Sequence, residues 1–296
     1  MEFKEQLIKY TNKINQELQN YIQDKNCPEK ILREAMEYSL LAGGKRLRPI
    51  LILSTYELFA NDIQFCMPFA IALEMVHNFS LIHDDLPAID DDDLRHGKLT
   101  NHKKYGEATA ILAGDALLNQ AYLVISRDII NEKDLEKKER KIRAFNEFTV
   151  AVDRMIAGEY VDTEYEGKLI SEKYLEYMHQ NKTGALITLA VRIGGILAGT
   201  SKKDLETLTS YSEKIGLAFQ IKDDILSEVG TEKEIGKPVG NDKKKGKCTY
   251  VSKYGLKQSE VMLKEIIKQA IEGLDEYKEK GRFLKGLANY IQSRNK

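Results

Sequence analysis

From one end of this chain to the other, apolar residues recur at the three- and four-residue spacing of a buried helical face. Little interrupts that rhythm. Only five prolines occur, at 28, 49, 68, 87 and 238, and alternating apolar–polar runs of the strand kind are scarce. Phe3, Leu7, Ile8, Ile14, Leu18 and Ile22 form one amphipathic stripe. Ile31, Ala35, Tyr38 and Leu41 form a second, which stops at Gly43-Gly44 as a helix C-terminus does. Apolar helical segments follow at 49–60, 67–86, 107–127, 141–160, 171–198 and 204–228, and two more at 257–278 and 281–293. The charged stretch 128–141 reads as a solvated connection, and the Gly- and Lys-rich stretch 230–247 as a loop. No long-period repeat and no linker marks a boundary. The expectation is an all-α chain: one large single-domain helical bundle over residues 1–296 with a buried interior.

Composition narrows the function classes. Hydrophobic residues make up 42% of the chain, enough for a sizeable core. The 45 Lys+Arg and 46 Asp+Glu leave a net charge of −1, which excludes a generic basic nucleic-acid binder. Cysteines at 27, 66 and 248 are odd in number, far apart and without a CxxC, so a reducing cytoplasm is the expected compartment. The N-terminus is charged throughout, unlike a signal or transit peptide. Ile187–Ala198 is apolar but too short to span a bilayer.

Six aspartates, at 84, 85, 90, 91, 92 and 93, follow directly on the apolar segment that runs from Pro68 through Leu81. Like charges at a helix C-terminus repel each other and the helix dipole unless a cation neutralises them. A solvated acidic turn is the simpler reading of such a run. Against it, Asp84 and Asp85 emerge from an apolar stretch, and His77 lies about 20° from Asp84 on an ideal helix. Asp90 is about 240° away, so Pro87 has to break the helix and turn the chain back before Asp84 and Asp90 can share a ligand. A second acidic pair, Asp223-Asp224, sits on an otherwise apolar helix, with Gln220 and Ser227 on the same face. Two costly pairs suggest facing walls of one cavity. Clusters of Asp without His or Cys fit Mg²⁺, which takes few carboxylates and shares its shell with phosphates.

Cations are placed to complement such a ligand. Lys45, Arg46 and Arg48 stand at a helix junction. Arg95 and His96 follow the acidic run, Lys182-Thr183-Gly184 interrupts an apolar helix, and Lys237 with Lys243–Lys247 populates the late loop. Together they offer the charge-assisted donors a diphosphate requires. Neither a GxxxxGK[ST] loop nor a GxGxxG after a strand occurs, and GxSxG and HExxH are absent.

In this order GGKRLRP at 43–49, DDLPAID at 84–90, RHG at 95–97, GD at 114–115, KTG at 182–184, FQIKDDIL at 219–226 and GK at 236–237 resemble the trans-isoprenyl diphosphate synthases. Among these the likeness is greatest to the bacterial short-chain farnesyl diphosphate synthases. The resemblance spans nearly the whole chain. It implies an all-α isoprenoid-synthase fold around a central cavity, usually a homodimer. It implies head-to-tail condensation of isopentenyl diphosphate with an allylic diphosphate, with up to three Mg²⁺. By the same resemblance, Asp84, Asp90 and Asp223 hold Mg²⁺, with Asp85 and Asp224 assisting. Arg95, Lys182, Thr183, Gln220 and Lys237 line the allylic diphosphate, and Lys45, Arg48, His77 and His96 hold isopentenyl diphosphate. Phe79, beside Ser80, stands where the family places the floor of the product cavity. That implies a C15 product, with C20 and C10 as alternatives. Three positions depart from the family pattern: His96 replaces a second arginine, Ser227 replaces a third aspartate, and Glu159 stands where glutamine is usual. A weakly active diphosphate-binding subunit of a heteromer and a terpene cyclase are the competing readings.

Overall fold

The computed structural model describes residues 2–21, 27–95, 97–168, 171–229 and 249–294. Helices dominate: α1 (Phe3–Tyr21), α2 (Lys30–Leu40), α3 (Leu47–Tyr56), α4 (Met67–Asp84), α5 (Asn101–Tyr105), α6 (Glu107–Asn131), α7 (Leu135–Glu164), α8 (Glu172–His179), α9 (Ala185–Ala198), α10 (Lys202–Val229), α11 (Tyr250–Tyr254), α12 (Leu256–Glu272) and α13 (Arg282–Ser293). The all-α expectation holds, with one small addition. Leu94–Arg95 (β1) and Lys98–Leu99 (β2) pair antiparallel, Leu94 opposite Leu99 and Arg95 opposite Lys98. This hairpin is too short to leave an alternation signal in the sequence.

The described residues fall into two compact units, one from Met1–Leu53 and Asp62–Glu139, the other from Ser54–Asn61 and Arg140–Lys296. In the first, α4 is the central element. Phe69, Ile71, Leu73, Met75 and Val76 are fully buried on it, and each contributes about 1.5–3 kcal/mol by leaving water. A helix that is apolar on nearly every side must be covered on every side. Here α4 packs against α6, α2 and α1. Pro68 near its start costs nothing, because the first-turn N–H groups have no helical partner.

In the second unit, α9 carries a run of buried residues from Ala185 to Val191 broken only at Thr188. It packs on α10, which also meets α12, α13 and α11. Between α8 and α9 the chain does not pause. Gln180–Gly184 forms a π-helical turn, so the interruption expected at KTG is a widened turn inside a continuous helical run.

One expectation needs correction. The stretch 128–141 is mostly helix: α6 runs on to Asn131 and α7 begins at Leu135. Its Glu and Lys are good helix formers, and Asp134 Oδ1 caps α7 by accepting from the Lys137 N–H at 3.0 Å. A longer apolar segment than Ile187–Ala198 is α6. It is one helix of 25 residues, long and apolar enough to cross a bilayer by length and composition alone. In the fold it packs on α4 and α2. The late loop at 230–247, including Lys237, lies outside the described residues, as does His96.

Candidate active site

In the first unit, α4 ends at Asp84, and Pro87 lies exposed in the turn beyond it. The chain folds back as the proline requires. The Asp90 N–H donates to the Asp84 carbonyl at 2.9 Å, and the Ile89 and Asp91 N–H groups donate to the Leu86 carbonyl at 2.9 and 3.1 Å. Asp84 and Asp90 thus stand at the two ends of one hydrogen-bonded turn. Asp85 is 3% exposed and is gripped by Arg95. Nε donates to both carboxylate oxygens at 2.9 and 2.8 Å, and Nη2 donates to Oδ1 at 2.6 Å. Burial pulls the Arg95 guanidinium down. The hydrogen bonds and charge of Asp85, with Asp84 and Asp92, outweigh it and hold Arg95 above its ordinary value. Further on, Asp93 pairs with Lys103 at 2.7 Å at the surface.

On α4 itself, His77 Nε2 accepts from Arg48 Nη1 at 3.2 Å, so these two predicted residues meet. Lys45 is exposed nearby in the chain. Arg46, the third cation of that run, turns inward and is 3% exposed. Phe79 is 7% exposed, with its ring edge-on to His83 at 4.8 Å between centroids. Ser80 Oγ donates to the His77 carbonyl at 2.9 Å, an ordinary bond back along the helix. The GD motif has a local reason. A methyl group on Gly114 would stand 2.2 Å from His83 Nε2, and that nitrogen donates to the Ile111 carbonyl at 3.0 Å.

In the second unit, the π turn presents Lys182 to two carboxylates. Its Nζ lies 2.8 Å from Glu159 Oε2 and 2.6 Å from Asp162 Oδ2. Glu159 and Asp162 are three residues apart on α7, hence on one face. Thr183 Oγ1 donates to Gln220 Oε1 at 2.8 Å, and Gln220 Nε2 donates to Asp224 Oδ1 at 2.8 Å. The other oxygen of Asp224 accepts from the Tyr250 N–H at 2.7 Å, and Asp224 is 4% exposed. Asp223 Oδ1 pairs with Arg294 Nη2 at 2.6 Å, and that guanidinium stacks 4.1 Å over the Phe219 ring. The second acidic pair lies inside α10, which continues to Val229, and not at a helix end.

Sequence reasoning missed Asp162, Tyr250 and Arg294. The acid pair at i, i+3 on α7 was a visible signal for Asp162. Arg294 and Tyr250 reach α10 only through folding, and nothing in the local sequence marks them. Among the described residues, no three His, Cys, Asp or Glu side chains converge into a ready metal cage.

Comparison with known proteins adds to this geometry. The profile of the polyprenyl synthetase family matches residues 29–283. The chain is 42% identical over 289 residues to the farnesyl diphosphate synthase of Micrococcus luteus, covering 97% of this chain and 96% of that one. It is also 42% identical to the geranylgeranyl diphosphate synthase of Cyanophora paradoxa, over 88% of this chain and 87% of that one. The crystal structure of geranylgeranyl pyrophosphate synthetase from Pyrococcus horikoshii superposes with a TM-score of 0.87 at 30% identity, over 99% of both chains.

Proposed function

The chain belongs to the polyprenyl synthetase family of chain-elongating prenyltransferases, and from that premise we propose that it makes farnesyl diphosphate (C15). It joins isopentenyl diphosphate head-to-tail to dimethylallyl and then geranyl diphosphate, and releases pyrophosphate. One observation carries this reading: both acidic pairs are built alike. In each, the second acid is buried and held by donors, Asp85 by Arg95 and Asp224 by Gln220 and the Tyr250 N–H. The first acid, Asp84 or Asp223, is only half-buried, although Asp223 Oδ1 also takes Arg294 Nη2 at 2.6 Å. Adjacent residues on a helix point about 100° apart, so anchoring one acid inward turns its neighbour toward a ligand.

The donor set suits Mg²⁺. It is all carboxylate oxygen, which suits a hard cation that keeps waters and shares a substrate's phosphates. We assign Asp84, Asp90 and Asp223 as its ligands, with Asp85 and Asp224 positioning them. When bound, Mg²⁺ neutralises the charge that grows on the departing diphosphate. Arg95, fixed in orientation by Asp85, adds a preorganised cation to the same oxygens. Lys182 and Thr183 do so from the π turn. Lys45, Arg48 and His77, with His96, take isopentenyl diphosphate, which saves association entropy when its double bond meets the allylic carbon. Lys237 joins the allylic side. Apolar walls keep water from the carbocation. Phe79, with Ser80 beside it, limits product length. A cytoplasmic homodimer completes the reading.

Purified protein incubated with Mg²⁺, isopentenyl diphosphate and dimethylallyl diphosphate is expected to yield a linear C15 diphosphate. Asp84→Ala is expected to abolish condensation while leaving the helical circular dichroism unchanged. Turnover retained by that variant would reject the metal assignment.

A further inference from the structure

Arg46 stands between two residues assigned to isopentenyl diphosphate, Lys45 and Arg48, yet faces away from solvent. Two features of its setting are each unfavourable alone. Its guanidinium is buried, 3% exposed, and so is its partner Glu74 at 3%. Its backbone takes a left-handed φ of 50°, rare for a side chain of this size. It also ends a run in which Gly43 and Gly44 have φ of 105° and 113°. Such strain persists where the surroundings over-determine it, and here they do. Arg46 Nη1 donates to Glu74 Oε1 at 2.6 Å, Nε to Asn15 Oδ1 at 2.9 Å, and Nη2 to the Leu40 carbonyl at 2.7 Å. One planar fork therefore ties the 43–46 loop to α1, to the end of α2 and to α4. Arg46 is what holds the Glu74 carboxylate: its other oxygen, Oε2, is buried with no hydrogen-bond partner among the described residues.

The anchor continues along α4. Glu74 and His77 are three residues apart, on one helical face. The first takes Arg46 and the second takes Arg48, at 3.2 Å. From this we infer that Arg46 and Glu74 are positioning residues for the isopentenyl diphosphate site. They do not touch the substrate; they pin the loop so that Lys45 and Arg48 are presented at a set separation. The inference rests on the proposed assignment of Lys45 and Arg48 to that diphosphate.

Four variants test it: Lys45→Ala, Arg46→Lys, Arg46→Met, and the double variant Arg46→Met with Glu74→Met. For each, the melting temperature, kcat and the KM for each substrate are measured, and isopentenyl diphosphate binding is titrated calorimetrically. Lysine keeps the charge but cannot serve three acceptors in a plane. Arg46→Lys is therefore expected to raise the KM for isopentenyl diphosphate about tenfold, a free-energy change of about 1.4 kcal/mol. The KM for the allylic substrate should stay within about twofold. Arg46→Met strands Glu74 and should melt early. The double variant removes both buried charges and should recover the parental melting temperature, yet keep the tenfold KM defect. A parental KM for isopentenyl diphosphate in Arg46→Lys, or in a stably folded double variant, overturns the inference. If Lys45→Ala itself leaves that KM unchanged, the site assignment fails first, and the inference falls with it.

Discussion

Gly158 offers the sharpest stability test. It lies in α7 where the π turn passes, and a methyl group there would stand 2.2 Å from the Lys182 nitrogen, 2.7 Å from the Asn181 carbonyl carbon and 2.8 Å from Lys182 Cα. Normal contact begins near 3.5 Å, so about 1 Å of movement is required, and the atoms in the way are backbone. Two effects of opposite sign compete. In a helix interior Gly→Ala gains about 1 kcal/mol from propensity and chain entropy. Overpacking a well-filled contact costs about 1–3 kcal/mol, and more where the backbone cannot yield. Displacing the turn also loosens Lys182 from Glu159 and Asp162, now at 2.8 and 2.6 Å. The clash should win by about 2 kcal/mol, which lowers the melting temperature of a chain this size by about 3 °C. Moving Lys182 by even part of an ångström should cut kcat/KM at least tenfold. Differential scanning calorimetry and steady-state kinetics on Gly158→Ala check both numbers. A variant that melts at or above the parent, with parental turnover, would show that α7 and the π turn are not in this contact.

Other consequences are equally direct. His179, buried and stacked on Tyr250 at 5.2 Å, has its pKa pushed down from 6.5 to about 4, chiefly by burial, with Lys182 helping and Asp162 opposing. The unfolded chain takes up this proton as pH drops through 6.5, while the folded chain waits until about 4. Stability is therefore present above 6.5 and is lost across that window, by at most about 3 kcal/mol. Urea midpoints at pH 7 and 4.5 should converge for His179→Phe relative to the parent, and parallel losses would sink the assignment. Asp224→Asn turns an acceptor from Gln220 and the Tyr250 N–H, at 2.8 and 2.7 Å, into a group with one acceptor too few. It should cost about 1–3 kcal/mol in urea unfolding, and no loss would mean these bonds are not made. Phe79→Leu and Phe79→Ala should shift products beyond C15, read by chromatography. The leucine variant guards against unfolding by the larger truncation, and an unchanged profile in a folded variant removes Phe79 from chain-length control.

Most of the helical architecture was legible because it rests on periodicity, and periodicity is a local property. Segments expected at 67–86, 107–127 and 204–228 appear as Met67–Asp84, Glu107–Asn131 and Lys202–Val229. The misplacement at 128–141 arose because charge was read as loop, whereas Glu and Lys favour an exposed helix. The hairpin of β1 and β2 was invisible because two residues per strand carry no alternation.

The site divides the same way. The types of residue, their order and the break at Pro87 follow from the chain alone, since covalent spacing and backbone sterics do not depend on distant contacts. Which acid of each pair is anchored does depend on them. Asp85 is identified by Arg95, ten residues on, and Asp224 by the Tyr250 N–H, twenty-six residues on. The same holds for the three cations at 45, 46 and 48. Their sequence makes them alike, but only the approach of Glu74, Asn15 and the Leu40 carbonyl turns Arg46 inward. Burial and partner choice are set by what lies across the fold, and a linear string holds no distance between residues that meet only when it closes.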